Sequence, residues 1–175
     1  MTISNALSEM GVNMMEPISE KFVEKTWQEV ARYSPIQASK EMQEMGKNQP
    51  ELLAFLMALT EDLDLEVKEL AIYIAFVIYR IFKGSRNKIK KITSKKIIDC
   101  YEYNEDLMGR LEGAHEKFLD RIARVQVSKQ PYIMKYVVDA LMEESEEGDG
   151  VELTDEDKGF IFLLLKTVVD LLDKG

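Results

Sequence analysis

The chain has 175 residues, of which 46% are apolar and 31% are charged, a composition typical of a folded domain rather than of a disordered chain. Its net charge of −9 disfavours general binding to nucleic acid, because an acidic protein repels phosphate groups. The single cysteine, Cys100, excludes an intramolecular disulfide and a zinc site built from several thiolates, and it indicates a reducing compartment.

Residues 1–18 are predicted to form a flexible N-terminal segment, followed by a single all-α domain over residues 19–175. The segment lacks the basic region and the continuous apolar run of a signal peptide, which favours a cytoplasmic protein. The apolar spacing then predicts an amphipathic helix from Ser19 to Tyr33. Pro35 fits the first turn of a second helix, which we expect to stop at Gly46.

Pro50 opens a third helix, which an acidic turn joins to a nearly all-apolar fourth helix ending at Phe82. This pair predicts a tight helical hairpin. The most apolar stretch of the fourth helix, residues 70–79, has ten residues, about half the length of a membrane span. We therefore predict no insertion into a membrane.

A basic linker over residues 83–96 follows, with seven positive residues and no acid. Clustered positive charge attracts anions, which makes Arg86, Lys88, Lys90 and Lys91 candidate anion-binding residues. The run contains no aromatic side chain on which a base would stack. A solvated linker between two halves of the protein is the alternative interpretation.

Beyond the linker, a 3.5-residue apolar seam predicts one long helix over residues 94–127, with Asn104 as a polar position that specifies register. Pro131 opens the next helix. Thr154 and Asp157 match a capping box at the start of the last helix. The whole chain is therefore predicted to be a bundle of about six helices.

Residues 48–59 and 129–140 share a Gln-Pro pair at an offset of 81 and the same succession of apolar positions. Each stretch is followed by an acidic turn and a very apolar helix. This similarity predicts two tandem repeats of a long helix plus a helical hairpin, over residues 19–84 and 94–175, which pack against each other. The alternative is that two helical hairpins resemble each other in composition alone.

Two carboxylate pairs in the first half have the order ExxE and then ExxD, through Glu41, Glu44, Glu61 and Asp64. This order resembles the magnesium site of the all-α nucleoside triphosphate pyrophosphohydrolases of the MazG-like class. The resemblance implies Mg²⁺ held by carboxylate oxygens, neutralising a triphosphate and activating water. Solvated acids on helix surfaces are the alternative, because the chain holds 32 acidic residues.

Residues 143–157 contain nine carboxylates and no basic residue. The stretch resembles an EF-hand calcium loop in part, with Glu147, Asp149 and Glu156 at ligand positions but Ser145 where the pattern has Asp. The resemblance implies a degenerate calcium site. A flexible acidic loop is the alternative.

The sequence contains no nucleophile paired with a base, no glycine-rich phosphate loop and no His/Cys metal motif. We therefore predict a non-enzymatic module for protein–protein interaction or assembly that uses no cofactor. The magnesium-dependent enzyme and the calcium-binding protein are the alternatives. The expected partner is another protein or a second copy, most simply in a two-fold homodimer formed through the long helix or the methionine-bearing N-terminal segment.

Overall fold

The computed structural model describes residues 16–86, 88–110, 129–143 and 151–174. These residues form helices without any strand, which confirms the predicted all-α class. In the described part of the chain there are seven helices, against a predicted bundle of about six: α1 (Glu20–Ala31), α2 (Pro35–Asn48), α3 (Pro50–Leu59), α4 (Leu65–Ser85), α5 (Ser94–Arg110), α6 (Pro131–Met142) and α7 (Asp155–Lys174).

Local chemistry fixes the start of several helices. The Ser19 and Ser34 hydroxyls each accept a hydrogen bond from the backbone N–H three residues later, at the starts of α1 and α2. At the start of α7 the Thr154 hydroxyl accepts from the Asp157 N–H at 3.0 Å, and the Asp157 carboxylate accepts from the Thr154 N–H at 3.2 Å. The predicted capping box is therefore confirmed.

The predicted end of the second helix is wrong, because α2 continues through Gly46 to Asn48. A Cβ atom on Gly46 would lie 3.2 Å from the Leu53 Cδ2 atom of α3. The glycine therefore allows two helices to approach closely, rather than ending one of them. The structure follows α5 to Arg110, and the remainder of the predicted helix over residues 94–127 lies outside the described residues.

Two helices, α4 and α7, pack against each other at the centre of the fold. Residues 74–79 of α4 and residues 161–169 of α7 are buried on every side of their helices. A helix that is apolar all round is stable in water only when other elements surround it. Among the described helices, none is long and apolar enough to cross a membrane.

The remaining helices surround this central pair. α1 packs against α4 and α6, and α5 packs against α7 and α3. α2 covers α3 and α4, and the Glu41 carboxylate on α2 pairs with Arg80 on α4 at 3.2 Å. The closest packing of α3 is with α2 and α5, and not with α4, the helix with which the sequence predicts a tight hairpin.

Two buried glutamines, each directly before a proline, bind the chain that leads into another helix. The Gln49 amide donates to the Lys90 carbonyl at 2.9 Å and accepts from the Ile92 N–H at 3.0 Å. The Gln130 amide accepts from the Ile18 N–H at 2.9 Å. Each glutamine therefore connects one half of the chain to a segment that is distant in sequence.

Candidate interaction surface

Three helices, α1, α4 and α6, leave an open groove of about 800 Å³ between them, which we call the aromatic groove. Its apolar floor includes the buried side chains of Val23 and Ile74. Four aromatic side chains line it: Trp27, Tyr73, Tyr132 and Tyr136. The groove is thus an apolar surface that no described part of this chain covers fully.

Three of the four aromatic side chains of the groove are partly exposed to solvent. Trp27 is 38% exposed, Tyr73 is 41% exposed and Tyr132 is 39% exposed. The Trp27 and Tyr136 rings stack with their centroids 6.4 Å apart, which joins α1 to α6. Large aromatic groups held in fixed positions and left partly exposed are typical of binding surfaces.

The rim of the groove carries four acids and one base: Glu20, Glu24, Asp139, Glu143 and Lys135. Lys135 pairs with the Glu20 carboxylate at 3.0 Å. The hydrogen bond and the charge of Glu20, together with Asp139 and Glu24, raise the pKa of Lys135 above its usual value. The rim is therefore acidic, and it favours a partner with positive charges beside its apolar surface.

The Tyr136 hydroxyl lies deeper in the groove than the other phenols. Burial raises the pKa of Tyr136 well above that of a free phenol, and the neighbouring Tyr73 and Glu143 contribute to the rise. Burial also raises the pKa of Tyr73. Both hydroxyls stay protonated at neutral pH, so they add hydrogen-bonding capacity to the groove but no further negative charge.

The chain matches no protein-family model, no curated protein and no solved structure. The interpretation of the aromatic groove therefore rests on its own chemistry. It has aromatic walls, an apolar floor and acidic edges, and it offers no nucleophile beside a base among its lining residues. This combination is suited to contact with an apolar surface that carries positive charges beside it.

The four carboxylates of the predicted magnesium site have different surroundings in the structure. Glu41 pairs with Arg80, and Glu44 is exposed on α2. Glu61 is exposed in the turn before α4, and Asp64 directly precedes that helix. In the described residues no three His, Cys, Asp or Glu side chains are arranged to hold a metal ion, so this geometry gives the magnesium prediction no support.

Most of the predicted calcium loop lies outside the described residues, including Glu147 and Asp149. Glu156, the third predicted ligand, is exposed in the first turn of α7. An acid in the first turn of a helix also interacts favourably with the helix dipole. The calcium site therefore stays a prediction.

The candidate anion-binding residues separate into two kinds. Arg86 faces inward, donates to the Leu172 and Asp173 carbonyls at 2.7 and 2.9 Å, and pairs with the Asp173 carboxylate at 2.7 Å. It therefore caps the end of α7. Lys88, Lys90 and Lys91 are exposed, and no ion pair is seen for them within the described ranges.

A second group of polar residues lies inside the interface of α5 with α7. The Lys166 ammonium, 4% exposed, donates to Asn104 Oδ1 at 2.8 Å and to Asp170 Oδ2 at 2.6 Å. The Asn104 amide also donates to the Thr167 hydroxyl at 3.1 Å. Asn104 is thus a buried polar position in the seam, as the sequence predicts, and each charge has a partner.

Cys100 lies beside this buried network. Burial raises the pKa of its thiol, Asp170 raises it further, and Lys174 and Lys166 oppose the rise. The thiol is therefore protonated at neutral pH, which makes it a poor nucleophile.

Sequence reasoning missed the groove residues, because the spacing of Trp27 puts it on the same helical stripe as Val23 and Val30. That stripe predicts burial for all three, yet only the two valines are buried. A signal was present in Tyr132 and Tyr136, which are one turn apart and carry hydroxyl groups on a mostly apolar helix.

Proposed function

We propose that this protein is a non-enzymatic helical interaction module whose aromatic groove receives an apolar helix with basic flanks. The observation that carries this proposal is the partial exposure of Trp27, Tyr73 and Tyr132 around one apolar floor. Aromatic residues in such positions supply most of the binding energy at many protein interfaces. An open groove between helices suits the docking of another helix.

The acidic rim supports the charge assigned to the partner. Glu24, Asp139 and Glu143 flank the aromatic side chains, and Lys135 is already paired with Glu20. Positive residues along both edges of a docked helix would meet these carboxylates while its apolar stripe covers the aromatic rings. An acidic helix of the same shape would be repelled, so the rim contributes specificity as well as attraction.

An internal duplication, which we also propose, gives the module its architecture. Gln49 and Gln130 both precede a proline, are both buried, and have similar backbone angles of −133°, 63° and −123°, 69°. Ser19 and Thr93 both accept a hydrogen bond from the N–H three residues later, at the starts of α1 and α5. These matching details support the proposal that α1 corresponds to α5, and α3 to α6, in the two repeats.

Two ring contacts support the same relation. Trp27 of α1 contacts Tyr136 of α6, and Tyr101 of α5 contacts Phe55 of α3 with the ring centroids 5.5 Å apart. In each case the first helix of one half packs against a helix of the other half. The two halves would then be interlocked rather than merely adjacent, and neither would bury its apolar helices alone.

The test uses synthetic amphipathic peptides of Leu, Ala and Lys, titrated into the protein by calorimetry. A peptide with Leu at helical spacing and Lys flanks is expected to bind with an exchange of heat that saturates. A peptide with Glu in place of Lys, and a scrambled sequence of the same composition, serve as matched controls. Binding by neither amphipathic peptide would overturn the proposal, and equal binding by both would remove the role of the acidic rim.

Variants locate the binding site. Tyr73→Ala is expected to weaken binding of the basic peptide at least about thirtyfold, the effect of an interface residue that contributes about 2 kcal/mol. Tyr103→Ala is the control, because Tyr103 is an exposed tyrosine on α5 and does not line the groove. Equal losses in the two variants would show that the peptide binds elsewhere.

A further inference from the structure

We infer that the occupant of the aromatic groove is a second copy of this chain, which docks its basic segment head to tail. The inference rests on the proposed function, and it names the partner. The basic segment is residues 88–96, which hold Lys88, Lys90, Lys91, Lys95 and Lys96 and no acid. Its charge directly complements the acidic rim of the groove.

The fold presents this segment in a fixed shape. The Gln49 amide holds the Lys90 carbonyl and the Ile92 N–H, and the Ile92 side chain is buried. Lys88, Lys90 and Lys91, which precede the buried Ile92, are exposed. Because the backbone is already ordered, docking would lose less conformational entropy than the docking of a flexible tail.

In its own molecule the segment is anchored at Gln49 and does not occupy the groove. Gln49 directly precedes α3, whereas the groove is lined by residues of α1, α4 and α6 together with Glu143. Lys88, Lys90 and Lys91 are exposed and are not among the residues that line the groove. We therefore assign the contact between segment and groove to two different molecules.

An apolar side chain accompanies the positive charges. Ile98 is 49% exposed on α5, one turn after Lys95. Residues three apart on a helix lie on the same face, so Ile98 can cover an aromatic ring while Lys95 meets the acidic rim. The segment thus provides the basic flank, and the first turns of α5 that follow it add the apolar group that the groove favours.

This contact joins two different surfaces, so each added copy still offers one unfilled groove and one undocked basic segment. Assembly then continues beyond the dimer, unless the rotation between copies closes a ring. Because the attraction is between exposed charges, added salt weakens it. The expected behaviour is a mean mass that rises past the dimer with concentration and falls with salt.

The experiment uses two variants of the full chain. The groove variant carries Glu24→Lys and Asp139→Lys, and the segment variant carries Lys88→Glu, Lys90→Glu and Lys91→Glu. All five positions are exposed, so both variants are expected to melt as the natural protein does. Each variant alone should be a monomer by analytical ultracentrifugation. An equimolar mixture should form a dimer of one copy of each and grow no further, because it retains one natural groove and one natural segment.

Each outcome decides the inference. Growth of the natural protein past the dimer, with a mixture that stops at the dimer, supports it. A natural protein that is monomeric at every concentration at low salt overturns it, as does self-association that persists in either variant alone. A closed two-fold dimer that each variant abolishes supports it, because each segment then fills the groove of the other copy. If the natural protein stays monomeric but binds the basic peptide, self-docking fails and the proposed function stands. If the natural protein neither self-associates nor binds the basic peptide, both the self-docking inference and the proposed function fail.

Discussion

The two central helices, α4 and α7, differ in how the rest of the chain covers them. α4 is covered over residues 74–79 but leaves Tyr73 partly exposed in the aromatic groove. α7 is covered over residues 161–169 and takes Lys166 into the interior, where Asn104 and Asp170 pair with it. The difference teaches that a buried charge on α7 is paired within the chain, whereas part of the aromatic surface on α4 stays open among the described residues.

The largest effect should distinguish buried from exposed positions on these two helices. Leu164→Ala on α7 should lower the free energy of unfolding by about 3 to 4 kcal/mol, because it leaves a cavity in a fully buried site. Tyr73→Ala on α4 should cost less than about 1 kcal/mol, because the ring is already partly in water. Denaturant unfolding measures both, and similar losses would contradict the comparison.

The buried network on α7 provides the second test. Lys166→Ala should cost about 3 kcal/mol, because it leaves the Asp170 carboxylate and the Asn104 carbonyl oxygen without their ammonium partner. Lys95→Ala is the control. Lys95 pairs with Asp99 in solvent at 3.3 Å, so its loss should cost less than about 1 kcal/mol. If the two losses are equal, the network contributes no more than a surface ion pair.

Cys100 reports on the same interface by its reaction with a thiol reagent. The raised pKa and partial burial of the thiol predict slow alkylation at neutral pH in the natural protein. The rate should rise with pH as the thiolate forms. Lys166→Ala should speed the reaction, because a weakened interface of α5 with α7 opens more often, and in the open state the thiol reacts away from Asp170 and both lysines. A rate equal to that of unfolded protein would show that the thiol is already accessible.

The buried glutamines give the third test. Gln49→Ala should cost about 2 kcal/mol, because the Lys90 carbonyl and the buried Ile92 N–H lose their hydrogen bonds. Gln28→Ala, which removes an exposed bond to Glu24, should change the unfolding free energy by less than about 0.5 kcal/mol. Thermal melts of the two variants measure this difference, and a Gln49→Ala protein as stable as the control would be inconsistent with the anchoring role.

The smallest effect concerns two glycines inside helices. Gly159→Ala should stabilise α7 by about 0.5 to 1 kcal/mol, because a Cβ there meets nothing within 4 Å and alanine favours helix. Gly46→Ala should stabilise the protein less than Gly159→Ala, or destabilise it, because its Cβ would lie 3.2 Å from Leu53. Equal gains in denaturant unfolding would show that α2 and α3 have room to separate.

Local features of the fold could be predicted from the sequence, because they depend on neighbouring residues. Thr154 and Asp157 form their capping box within one turn, and Pro35 and Pro50 each begin a helix. Gly46 shows the limit of this reasoning. Glycine next to a helix end usually terminates it, and only the position of Leu53 on the next helix reveals the close approach.

The candidate site was beyond sequence reasoning for a similar reason. Whether Trp27 is covered depends on where α6 lies, more than one hundred residues later in the chain. The periodicity of α1 shows that Trp27 faces inward, but it cannot show how much of the ring its neighbours cover. The bonds of Lys166 to Asn104 likewise join helices that are distant in sequence.

The most direct test of the proposed function uses Trp27, which is the only tryptophan in the chain and lies in the aromatic groove. Its fluorescence can be followed while the basic amphipathic peptide, which contains no aromatic residue, is titrated into the dilute natural protein. We expect the emission to shift to shorter wavelength and to saturate, as the peptide removes water from the 38% exposed ring. An unchanged emission spectrum at peptide concentrations that saturate the calorimetric signal would contradict the assignment of the groove as the binding surface.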